Sequence, residues 1–141
     1  MARWLMALCL ILVSTGCKVP RPVDDYHAEQ AAAAATKRPK DPDDAKVFDQ
    51  LKAAGHDFKK STEVDFYLYF PEEGAARGAL QVLSGQGYSG DVAQDKGEWL
   101  CHLKKSMVLT ADSIDMERFQ MRDLTVNSGG HYDGWGAAVK K

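Results

Sequence analysis

The sequence predicts an α/β (α+β) domain of the ferredoxin-like kind, a β-α-β-β-α-β sandwich with a four-stranded antiparallel sheet and an extra N-terminal helix. Two observations carry this. Residues 63–70 alternate apolar and polar as a half-buried strand does. The elements that follow come in the order helix, two strands around a tight turn, helix and short strand, which a split βαβ arrangement joins most simply.

The chain reaches that domain through an address and a tether. Met1-Ala2-Arg3 supplies positive charge, Trp4 to Val13 is unbroken apolar sequence, and the small residues Ser14-Thr15-Gly16 precede Cys17. This is the layout of a secretory signal. The apolar run is about half the ~20 residues of a bilayer-spanning helix. The residues before Cys17 resemble a bacterial lipobox, although Ser14 stands where an aliphatic residue is usual. The resemblance implies cleavage after residue 16, lipid on Cys17 and anchoring in the cell envelope. Lys18 after the lipidated cysteine implies the outer membrane, facing the periplasm, in a Gram-negative cell. The other reading is an ordinary signal peptide with an incidental cysteine. Residues 17–43 then read as a lipidated cysteine and flexible linker, because four of the five prolines fall in it beside the run Ala31 to Ala35. The domain is expected over 44–141.

Asp43 or Asp44 can cap a first helix that carries Val47, Phe48 and Leu51 and stops at Gly55. The strand that follows puts Val64, Phe66, Leu68 and Phe70 on one face and Asp65, Tyr67 and Tyr69 on the other. Pro71-Glu72-Glu73 opens a helix with Ala75, Ala76, Ala79, Leu80 and Leu83 at helical spacing. Gly74 and Gly78 weaken that helix and suggest a close backbone approach. Tyr88 to Gln94 and Glu98 to Lys104 form a hairpin about Asp95-Lys96-Gly97. Thr110 caps a last helix running to Asn127, with Ile114, Met121 and Leu124 inward, and Gly129-Gly130 stops it. His131 to Gly134 read as a loop into a short strand with Trp135, Ala137 and Val139 on one face.

A chain of 141 residues, 45% hydrophobic and 27% charged, suits one globular core. A net charge of -2 gives no electrostatic case for nucleic acid. Of three cysteines only Cys101 stands in the domain, so no disulfide staples it. Cys101 and His102 are neighbours on a strand and point to opposite faces, so they make no nucleophile and base pair. The four histidines show no zinc-ligand spacing. The sequence holds no phosphate loop and no hydrolase triad, and neither an enzyme, a cofactor nor a metal site is expected.

Gly129-Gly130-His131-Tyr132-Asp133-Gly134-Trp135 combines glycines, two large aromatics and a carboxylate. With Gly55-His56-Asp57, the strand Val64 to Pro71 and Gly97-Glu98-Trp99, it resembles the regulator of ribonuclease activity B family, also called ribonuclease E inhibitor-like, over about 46–139. The resemblance implies a compact non-catalytic α/β domain that binds a protein, in its best-known form ribonuclease E, and lowers its activity.

Tyr132, Asp133 and Trp135 have two readings. They close the domain, tryptophan in the core and aspartate accepting amides of the glycine turn, or they form a partner surface. Asp65, Tyr67 and Tyr69 are the second candidate surface. The expectation is therefore an envelope lipoprotein whose regulatory domain binds an unidentified protein, with membrane contact through Cys17. Two alternatives stand beside it. One is a cytoplasmic ribonuclease E regulator whose signal is unused; the other is an envelope protein that binds a small ligand or metal through His131 and Asp133.

Overall fold

The computed structural model describes residues 37–141. The signal-like run, Cys17 and the linker up to residue 36 lie outside the described residues. Helix α1, Pro42–Ala53, is capped by Asp41, whose carboxylate accepts the amides of Asp43 and Asp44 at 3.0 and 3.4 Å. The cap thus stands ahead of the expected Asp43 or Asp44. The physical reason is Pro42: it occupies the first turn, where a missing N–H leaves nothing unpaired, so the cap must precede it. Asp43 and Asp44 fall in that turn, where carboxylates suit the helix dipole.

Strand β1, Ser61–Phe70, pairs antiparallel with both of its neighbours. Its alternation is as the sequence predicts: Val64, Phe66, Leu68 and Phe70 have no exposure at all. Helix α2, Glu73–Ser84, buries Ala76, Ala79 and Leu83. Gly74 and Gly78 face open space, so the expected close approach at them is not made. Strands β2, Ser89–Asp95, and β3, Glu98–Val108, close around Lys96 and Gly97, whose φ values of 51° and 91° make the two-residue turn that suits strand twist.

Helix α3, Ala111–Val126, opens with a capping box: Thr110 Oγ1 accepts the Ser113 amide at 3.0 Å and Ser113 Oγ accepts the Thr110 amide at 2.9 Å. Its inward stripe includes Glu117 and Thr125 with Ile114 and Met121, while Leu124 is only partly buried. Glu117 is tolerated inside because Lys105 Nζ reaches it at 2.8 Å and the Tyr88 hydroxyl donates to it. Strand β4 spans His131–Ala137. His131 to Gly134, expected as a loop, therefore belong to the strand, and Val139 lies beyond it, 41% exposed. Two features disguise the strand: a register shift opposite Tyr67 and Leu68, and glycines that break its apolar alternation.

The sheet order is β2-β3-β1-β4, all pairs antiparallel. With α2 and α3 covering one face, this is the ferredoxin-like sandwich. The extra helix α1 sits by the β4 edge, burying Phe48 and Leu51, with Phe48 stacked on Phe58 at 4.6 Å. The chain's last residues fasten the loop after α1: Lys140 donates its amide to His56 Nδ1 at 3.0 Å and accepts that of Asp57 at 2.7 Å.

Candidate functional site

Only one face of the sheet is covered by α2 and α3, and the alternation of β1 decides what the other shows. Asp65, Tyr67 and Tyr69 stand on it, each half-buried by neighbours within the sheet. The β1–β3 register sets Lys104, His102 and Leu100 opposite them in that order. His102 Nε2 lies 2.7 Å from Asp65 Oδ1, and its imidazole is parallel to the Tyr67 ring, with centroids 5.1 Å apart. Tyr69 carries the His131 ring at 5.2 Å and donates its hydroxyl to Asp95 at 3.0 Å. That hydrogen bond, more than burial, raises the Tyr69 phenol above its ordinary value.

The β4 edge leaves this face bare. Gly134 is opposite Tyr67 and Gly136 opposite Asp65, so no side chain flanks them there. The result is two stacked aromatic pairs, Tyr67–His102 and Tyr69–His131, open to one side. Around them stand the carboxylates of Glu63, Asp65, Asp91, Asp95 and Glu98, with Lys104 paired to Glu63 at 3.0 Å. The face is acidic and aromatic, which suits a basic partner and repels phosphates.

The terminal motif divides between layers. Tyr132 lies opposite Leu68 and Trp135 opposite Phe66, on the helix side. Trp135 is 7% exposed and donates its indole N–H to Asp44 at 3.0 Å, closing the domain as the sequence allowed. Asp44 also accepts from Arg118 at 3.0 Å, and Arg118 reaches Asp41 at 2.7 Å. Asp133, at the register shift, is exposed and takes no hydrogen bond among the described residues. The expected amide contacts of this aspartate are therefore not made, because the shift turns it outward. Asp44, Arg118, Tyr132, Asp133 and Trp135 line a hollow of about 310 Å³ between α1, α3 and β4.

The six candidate residues thus form two sites. Asp65, Tyr67 and Tyr69 share the open face; Tyr132, Asp133 and Trp135 belong to the hollow. Sequence reasoning missed His102, Asp95 and Asp91 on the open face, which the hairpin register would have placed there, and the stacking of His131 on Tyr69. It also missed Asp44 and Arg118, for which no local pattern gave a signal. His131 and Asp133 converge on no third ligand, and no group of three or more His, Cys, Asp or Glu among the described residues is arranged to hold a metal. Cys101 and His102 do point to opposite faces: Cys101 is fully buried, which pushes its thiol up to about 11, and His102 meets Asp65. A larger open groove of about 1120 Å³ runs along α3 past Met116, Phe119 and Val126 and shares Arg118 with the hollow.

A search of curated proteins finds no match. The family model described as regulator of ribonuclease activity B matches residues 41–137, more than half the chain and every helix and strand described above. The chain therefore belongs to the regulator of ribonuclease activity B family.

Proposed function

We propose that this domain is a regulatory, non-catalytic protein-binding module held at the cell envelope by lipid on Cys17. Its partner seats a basic segment on the open sheet face. The observation that carries this reading is the uncovered pair of aromatic stacks ringed by carboxylates. Aromatic side chains are enriched at binding hot spots, and complementary charge speeds encounter. Family membership supports regulation by binding rather than catalysis. The sequence around Cys17 supports the anchor, since two acyl chains suffice for stable membrane attachment.

Two experiments test the two halves. Mass spectrometry of the native protein from membranes is expected to find an N-terminus at Cys17 carrying acyl mass. A chain beginning at Met1, unprocessed, would overturn the anchor and make a cytoplasmic ribonuclease E regulator the better reading. For the surface, a photo-crosslinking residue is placed at Tyr67 and, as a control, at exposed Gln81 on α2. A discrete protein adduct from position 67 alone supports the face; equal adducts from both sites, or none from 67, sink it.

A further inference from the structure

Exposed lysines gather at one end of the sheet. Strand β1 starts there at Ser61, directly after Lys59 and Lys60, and β4 finishes beside it, so that Lys140 and Lys141 follow close by. The two pairs touch: the Lys140 carbonyl accepts the Asp57 amide at 2.7 Å, and the Lys60 ammonium donates to the Lys141 carbonyl at 2.8 Å. Lys52 lies in the last turn of α1, just before the same loop. All five lysines are exposed. Asp57 is the acid among them, and its carboxylate already accepts the Lys59 amide at 3.0 Å. Nearby, Lys104 is paired with Glu63 and Arg38 with Asp49, which leaves the five lysines in excess.

The opposite end has the opposite sign. The length of β1 puts Phe70 roughly 30 Å from Ser61. There Glu72 and Glu73 open α2, and Asp95 and Glu98 flank the β2–β3 turn with Lys96 between them. A net charge of only -2 thus conceals a separation of charge along the strands. The described chain also enters at the lysine end: Lys37 pairs with Asp112 in the first turn of α3, and only Leu109 and Thr110 separate α3 from Val108, the β3 partner of Ser61. The direction towards Cys17 therefore leads out of the domain from its basic end.

The kind of charge selects the partner. A lysine ammonium is a compact point charge on a flexible stem, which suits phosphates spread over a surface, whereas a discrete anion is gripped by planar guanidinium forks. None of the five lysines lines either hollow described above. We infer that the end of the domain carrying Lys52, Lys59, Lys60, Lys140 and Lys141 rests on a bilayer of anionic phospholipid and turns the acidic end away from it. The strands then stand on end, and the open sheet face stays accessible from the side. This inference rests on the reading of the chain as a membrane-held module and gives that module its orientation.

The test places a fluorescent amino acid in the full-length protein at exposed Ala54, next to α1 and its Lys52, or at exposed Glu72 of the far end. Each form is mixed with vesicles whose headgroups carry a spin-label quencher, made of phosphatidylcholine alone or of phosphatidylcholine with phosphatidylglycerol. On the phosphatidylglycerol vesicles, quenching at position 54 is expected to exceed that at position 72 severalfold. Phosphatidylcholine alone should bring the two positions level, as should salt raised to about 1 M, where screening acts within ~3 Å. Each lysine near an anionic membrane contributes about fivefold to binding, so Lys59→Glu combined with Lys140→Glu should level them too. The fold uses the backbone of Lys140 there, which the substitution keeps. Comparing two positions reads orientation whether or not acyl mass is found on Cys17, so the anchor and this inference fail separately. Level or absent quenching on the anionic vesicles, a preference that survives the double reversal, or capture of the lysine end by a double-stranded oligonucleotide in place of the vesicles overturns the proposal.

Discussion

The two faces of β1 are ten residues of one strand put to opposite uses. On the covered face Val64, Phe66, Leu68 and Phe70 meet helices and lose all exposure. On the open face Asp65, Tyr67 and Tyr69 meet neighbours across the sheet, His102, Lys104, His131 and Asp95. The covered face is apolar but for Thr62, whose hydroxyl donates to the Ala138 carbonyl at 3.2 Å, and all five of its side chains are buried in the core. The open face is polar and aromatic, and its packing is lateral. Alternation therefore separates the residues that hold the core from those of the proposed recognition surface at a spacing of one residue, so the outer residues can change while the core stays fixed.

The sharpest way to break that comparison is to truncate one ring on each face. Phe66→Ala empties a fully buried site and is expected to destabilise by about 3–5 kcal/mol. Tyr67→Ala removes a stacked but half-exposed ring and should lower stability by about 1 kcal/mol or less. Urea unfolding of the two variants measures both. Equal losses would mean that the open face is a core awaiting a cover and not a free surface.

This difference also decides what could be read in the sequence. The strand, both flanking helices and the hairpin were legible because each repeats a pattern within a few residues. The sandwich followed because the order of elements leaves few ways to join them. The open face was half legible: Asp65, Tyr67 and Tyr69 come from alternation, but His102, Asp95 and His131 arrive through pairing with distant strands. The hollow was least legible, since Asp44, Arg118 and Trp135 lie on three elements far apart in the chain and meet only when α1 docks. Strand β4 hid because Gly134 and Gly136 interrupt its apolar alternation, Gly134 with a φ of 120° beside the register shift.

Glycine substitutions sharpen the comparison further. At Gly130 an added Cβ would stand 2.2 Å from the Tyr69 carbonyl oxygen, where β4 begins beside β1. Gly130→Ala should destabilise by about 1–3 kcal/mol, as overpacking does. Gly78, in the interior of α2, meets nothing within 4 Å, so Gly78→Ala should stabilise by up to about 1 kcal/mol. Opposite signs in thermal melts are expected; a loss in both would revive the close approach that the sequence suggested for α2.

Where the covered side ends, His56 gives the comparison a pH dependence. Its Nδ1 accepts the Lys140 amide, and burial holds the imidazole below its ordinary 6.5. The unfolded chain thus binds a proton that the fold resists. Stability is full above that value and falls as pH drops through it towards the folded-state pKa. Urea midpoints measured down to pH 5 should show the fall, and His56→Asn should flatten it. A profile identical in both proteins would remove His56 as its source.

The smallest expected effect is none at all, and it lies on adjacent residues. Cys101 and His102 divide between the faces, Cys101 fully buried and His102 about a quarter exposed beside Asp65. Alkylation needs a thiolate that the reagent can reach, and burial both shields the sulfur and pushes its thiol up to about 11. At pH 8 iodoacetamide should leave Cys101 unmodified in the native protein and label it fully in urea, as read from the mass of the peptide that contains it. Labelling in the native state at a rate matching the unfolded chain would mean that β3 opens readily, and the covered face would then be no more closed than the open one.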